Sequence, residues 1–100
     1  QIKFIKPTEK SNQIHWFTNI LCKNTKLRNF LKNKKIQTRR AFYPLHMQPC
    51  YRNNKSIIIK SKFPNSIDIY RKLVSLPSAA QLNQMDLNYI IKNIKKFFNK

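Results

Sequence analysis

IQTRRAFYPLHMQPCY, residues 36–51, combines residue types that few pressures other than a binding site bring together. Arg39 and Arg40 supply planar guanidinium forks. Phe42, Tyr43 and Tyr51 supply flat rings, two of them with a polar handle, and Pro44 and Pro49 stiffen the backbone on either side of His46. A segment built this way is an ordered loop, and loops carry binding groups more often than cores do. The competing reading is a surface connection that is simply aromatic.

Working outward, 36–39 reads as a short strand leading into the loop. Before it, Asn24 can accept from the free amides of a helix start, and Leu27, Phe30 and Leu31 follow at helical spacing. Lys32, Lys34 and Lys35 suit the negative end of that helix. Residues 14–22 are apolar except at His15, Thr18 and Asn19, which predicts a strand inside a sheet with Trp16 in the core. Residues 1–6 alternate weakly and form another candidate strand, followed by a polar turn over 7–13. After the loop, Ile57, Ile58 and Ile59 suggest a short strand at 56–60. Pro64 opens a helix on which Ile67, Tyr70, Leu73 and Val74 share a face, and SLPS at 75–78 ends it. The last helix has Asn83 as cap with Asp86 three residues on, and Leu87, Ile90, Ile91, Ile94 and Phe98 along one stripe. The expected fold class is α+β, with two or three short strands and helices near 25–34, 65–74 and 84–98.

The 100 residues make one small domain. A formal charge of +18, with Glu9, Asp68 and Asp86 as the only acids, points to an anionic partner such as nucleic acid or a membrane surface. It also fits a compositional drift: Lys, Asn and Ile dominate and Gly is absent, against an average usage of about 7%. The lysines are scattered along every segment and the aromatics fall mainly on core stripes, which disfavours the alternative of a small basic nucleic-acid-binding module. No run reaches the roughly 18 apolar residues needed to span a bilayer. Cys22 and Cys50 are too few for a disulfide framework, so free thiols and a cytoplasmic location are expected. His15, Cys22, His46 and Cys50 match no zinc-ligand spacing, and no metal is expected.

Four stretches carry a resemblance. IHWFTNIL from Ile14, IQTR with YPLHMQPCY, FPNSIDIYRKLVSLPS from Phe63, and QLNQMDLNYIIKNIKKFF from Gln81 together resemble the C-terminal end of the DegT/DnrJ/StrS family. Its members are aminotransferases that use pyridoxal phosphate and act on keto-sugars attached to nucleotides. The resemblance implies the small C-terminal domain of a fold-type I pyridoxal-phosphate transferase. Together with the length and the opening Gln1, it leads to the expectation that residues 1–100 are a fragment of a two-domain enzyme, inactive alone. In the family the large domain supplies the Schiff-base lysine and the groups that hold the cofactor. No catalytic or cofactor-binding residue is therefore assigned here, and a homodimer is expected only of the full-length enzyme.

What the resemblance assigns to this part is substrate handling. By that analogy Tyr43 and His46 face the sugar or its diphosphate, and Arg39 pairs with anionic oxygens in the forked geometry suited to phosphate. Gln48 and Tyr51 are lesser candidates. The alternative for His46 is that it ties the loop down by hydrogen bonds. Three positions depart from the family: Lys35 stands where Gly is usual, and Arg40 and Ala41 stand where Pro and an aromatic are usual. A lysine in the left-handed conformation often used to leave a helix costs about 1 kcal/mol; the alternative is a turn shifted to Asn33. The sugar, the ring carbon aminated, and the choice between aminotransferase and related dehydratase stay open.

Overall fold

Ile20, Cys22 and Val74 are almost wholly buried, and each sits two residues from, or directly across from, another of the three, as one face of a pleated sheet requires. In the computed structural model, which describes residues 2–5, 7–12, 16–52 and 63–99, they belong to a four-stranded antiparallel sheet. Its strands are β1 (Ile2–Phe4), β2 (Thr18–Cys22), β3 (Arg39–Arg40) and β4 (Leu73–Leu76), in the order β1-β2-β4-β3. Two helices, α1 (Lys26–Asn33) and α4 (Gln84–Phe98), bring Leu27, Leu31 and Ile90 to the same core, with Phe30, Ile94, Phe97 and Phe98 packed around it. The short helix α2 (Pro49–Arg52) follows the aromatic loop, and α3 (Pro64–Lys72) runs directly into β4. The α+β expectation holds.

The helix ends follow from the residues that occupy them. Asn24 Oδ1 accepts from the Lys26 amide at 3.0 Å. Asn83 and Asp86 form a complete capping box, the Asn83 side chain accepting from the Asp86 amide at 2.9 Å and the Asp86 carboxylate accepting from the Asn83 amide at 3.3 Å. At the far end of α1 the chain leaves through Lys35 at φ 60°. The Ile36 amide donates to the Leu31 carbonyl and the Lys35 amide to the Lys32 carbonyl, both at 2.9 Å. Those two bonds define a Schellman motif, and the buried side chains of Leu31 and Ile36 supply its apolar contact. The turn has not moved to Asn33. Lys35→Gly is therefore expected to stabilise the chain by about 0.5–1 kcal/mol, the left-handed penalty less the glycine's greater unfolded entropy; a thermal melt that moves down instead of up would refute this.

Several expectations need correction. α3 stops at Lys72, and Leu73 and Val74 belong to β4 rather than to a helical face. LVSL lies between β2 and β3, and pairing on both sides overrides the helical spacing. The strand foreseen at 14–22 is Thr18–Cys22; residues 14 and 15 lie outside the described residues. Trp16, expected in the core, is 73% exposed and stacks on Phe17 with ring centroids 4.6 Å apart. The strand foreseen at 36–39 forms at Arg39–Arg40, because Ile36 is held in the Schellman motif. On α4, Leu87 and Ile91 face solvent, while Asn93 is buried and donates to the Tyr89 carbonyl at 2.8 Å. Positions 90, 93, 94 and 97 make the inward face. The strand foreseen at 56–60 lies outside the described residues.

Candidate functional site

The sheet's second face carries different chemistry. Residues directly opposed in antiparallel strands share a face, so the register places Asn19, Ser75 and Arg39 in one row across β2, β4 and β3. The Ser75 hydroxyl donates to Asn19 Oδ1 at 2.7 Å, and Ser75 is buried. Beside this row runs a groove of about 510 Å³, lined by Trp16, Phe17, Gln37 and Arg39 and closed by the segment after β4 that includes Pro77 and Ser78. The Ser78 hydroxyl donates to the Trp16 carbonyl at 3.2 Å, fastening the two walls to each other. Beyond Arg39 the same face continues into a hollow of about 150 Å³ bordered by Ala41 and Phe42.

The three residues expected to bind substrate are not brought into one cavity. Arg39 is exposed on β3 and lines the groove. Tyr43 packs its ring edge-on against Tyr70 of α3, centroids 5.4 Å apart. His46 lies in a single 3-10 turn, Leu45–Met47, with its ring 4.9 Å from that of Phe63 at the start of α3. The loop is held by its own backbone: the Met47 amide donates to the Pro44 carbonyl at 2.9 Å and the Gln48 amide to the Leu45 carbonyl at 3.0 Å. His46 takes no part in that bonding. Its Nε2 is shielded from solvent and has no hydrogen-bond partner among the described residues. A buried polar atom without a protein partner is uncommon, and an ordered water is one group that satisfies such an atom. Gln48 reaches back to the Tyr43 carbonyl at a long 3.5 Å, and Tyr51 is exposed.

Asn19, Ser75 and Trp16 were missed by reasoning from sequence alone. The pattern of LVSL was a signal for Ser75, since a serine between apolar neighbours in a strand points away from their face. Trp16 gave no signal of its own.

Arg39 and Arg40 are adjacent in sequence and separated by the pleat. Arg40 opposes Val74, on the face opposite to Arg39. There it approaches Arg28 of α1, whose pKa is lowered by burial first and by the Arg40 charge second, with Tyr70 acting the other way.

Neither cavity of the open face suits pyridoxal phosphate. Among the described residues no lysine and no carboxylate lines either. Asp68 is committed to Lys72 at 2.6 Å, and Asp86 to its capping box. The described residues at these cavities do not supply the amine and acid that the cofactor requires. Among the described residues no group of three or more His, Cys, Asp or Glu side chains could hold a metal ion. No helix among them is long and apolar enough to cross a membrane.

The DegT/DnrJ/EryC1/StrS aminotransferase family matches residues 1–95. The chain is similar to a GDP-perosamine synthase of Escherichia coli, 32% identical over 89 residues that cover 85% of this chain and 23% of that protein. It is also similar to an uncharacterized protein of Methanocaldococcus jannaschii, 32% identical over 76 residues, 76% of this chain and 19% of that one. The chain thus spans less than a quarter of the length of these curated relatives. No solved structure matches it.

Proposed function

Since the chain belongs to the DegT/DnrJ/EryC1/StrS aminotransferase family, we propose that it is the C-terminal, substrate-side domain of a pyridoxal-phosphate aminotransferase acting on nucleotide-linked keto-sugars. Its place would be in the cytoplasmic synthesis of amino sugars for surface polysaccharide, and the full-length enzyme would be a homodimer. The observation that carries this reading is the polar row Asn19, Ser75 and Arg39 beside an aromatic-walled groove, on the sheet face away from the core. That combination suits a phosphorylated sugar. The guanidinium of Arg39 takes phosphate oxygens pairwise, the Asn19 amide and Ser75 hydroxyl offer neutral partners to sugar hydroxyls, and the face of Trp16 covers a flat or ring-shaped group. Tyr43 and His46 line neither the groove nor the hollow beyond it, and only the family resemblance assigns them to a part of the substrate outside the groove.

In this reading the cofactor supplies the electron sink for moving the amino group, and it is held by a large domain. The chain's own residues bind and orient the substrate and shield it from water, and none moves a proton. The isolated 100-residue chain is accordingly expected to form no stable, borohydride-reducible adduct with pyridoxal phosphate at any one lysine, and to transfer no amino groups. Mass spectrometry after reduction checks this; stoichiometric labelling of a single lysine would contradict the division of labour proposed.

A further inference from the structure

Three arginines from three elements meet away from the groove. Arg28 of α1, Arg40 of β3 and Arg71 of α3, with Tyr70, line a cavity of about 190 Å³ that Cys22 and Val74 border from the core. The Arg28 Nε is fully shielded and has no hydrogen-bond partner among the described residues. Among the described residues no carboxylate lines the cavity. Arg28 is half-buried and Arg40 and Arg71 are exposed, so three guanidinium groups with donors to spare surround one small cavity, an arrangement that suits an anionic acceptor. The start of α1 lies on the same wall through Asn24 and Thr25. Its first turn contains no acid, so the helix's positive end, of which the Asn24 side chain takes one amide, adds to the field.

We propose that this cavity is a binding site for a small phosphoryl oxyanion, held by the forks of Arg28, Arg40 and Arg71. The cavity has room for a phosphate but not for a sugar and base as well. Guanidinium groups match its oxygens in pairs. The site is separate from the groove on the opposite sheet face and does not depend on the aminotransferase reading. Burial first and the neighbouring Arg40 charge second push the Arg28 pKa down.

Because a chain of charge +18 attracts any anion, the test must separate a site from a field. Calorimetric titration of the full chain with inorganic phosphate, in chloride buffer of constant ionic strength near 0.15 M, is expected to show saturable binding of about one equivalent. Arg40→Gln and Arg71→Gln should each weaken it about tenfold or more, the scale of a lost charge-assisted pair. Arg28→Lys, which keeps the charge and loses the fork, should weaken it as well. Lys92→Gln, an equal loss of charge on the exposed side of α4, should change it less than about twofold. Circular dichroism establishes that each variant is folded, and Arg40→Gln alone suffices if Arg28→Lys is not. Glucose 1-phosphate in place of phosphate tells whether the terminal phosphoryl group of a larger molecule also enters; binding of either form supports the site. Absence of saturable phosphate binding by the unmodified chain, or equal weakening by Lys92→Gln and Arg40→Gln, overturns it. So does tight binding of a single-stranded oligonucleotide that phosphate does not displace and Arg40→Gln does not weaken.

Discussion

Leu31→Ala is expected to leave most of the isolated chain unfolded. Leu31 is wholly buried, belongs to the cluster that joins α1 and α4 to the sheet, and provides the apolar half of the Schellman contact with Ile36. Truncation removes its packing and leaves a cavity among neighbours fixed by two helices and a sheet, a loss of about 3–5 kcal/mol. Native domains have roughly 5–15 kcal/mol in total, and one of this size lies at the low end. Urea denaturation followed by circular dichroism should show a much earlier midpoint or no folded baseline. Leu45→Ala, at a position 67% exposed, should shift stability by less than about 0.5 kcal/mol. If Leu31→Ala costs less than about 1 kcal/mol, the core is not where the structure places it.

The second large effect concerns substrate use, in the parent enzyme or in this chain joined to a compatible large domain. Arg39→Ala should weaken the use of a nucleotide-linked sugar by roughly 1.5–3 kcal/mol, the scale of a hydrogen bond to a charged group, and mainly through KM. Arg39→Lys should recover only part, because an ammonium cannot take two oxygens side by side. His46→Ala should cost roughly 1–3 kcal/mol if its Nε2 meets the substrate. Tyr43→Phe should do little, since its ring already packs edge-on against Tyr70. The absorbance of the bound cofactor should be unchanged throughout. Variants that keep wild-type kinetics while melting earlier would make the loop structural, and the substrate contacts would have to be sought elsewhere.

The sequence was most legible where local chemistry decides structure. The capping box of Asn83 and Asp86, the Asn24 bond to the start of α1, and the left-handed turn at Lys35 depend on residues within a few positions of one another. It was least legible where distant pairing decides. LVSL has helical spacing with Ile67 and Tyr70, and only the presence of β2 and β3 on either side makes it a strand. Trp16 looked internal because its neighbours are apolar, yet β2 begins two residues later and leaves the indole outside. Of the candidate site, Arg39, Tyr43 and His46 were expected from the family resemblance of a loop of unusual composition, and of the three Arg39 lines the groove. The Asn19 and Ser75 pair joins two segments that no local pattern connects, so it emerged only once the strands were registered.

That same pair has a kinetic consequence. Asn19 and Ser75 are 56 positions apart, and the central strand pair of the sheet cannot form until the chain has closed a loop of that length, at an entropic cost on the order of 3–4 kcal/mol. Helix α1 and its turn need only near neighbours and can form in microseconds. Between those events β2 has open edges, and its apolar residues have not yet met β4. During that interval the mutual repulsion of a highly cationic chain works in its favour: it slows the collision of half-folded copies, and edge-to-edge association with it.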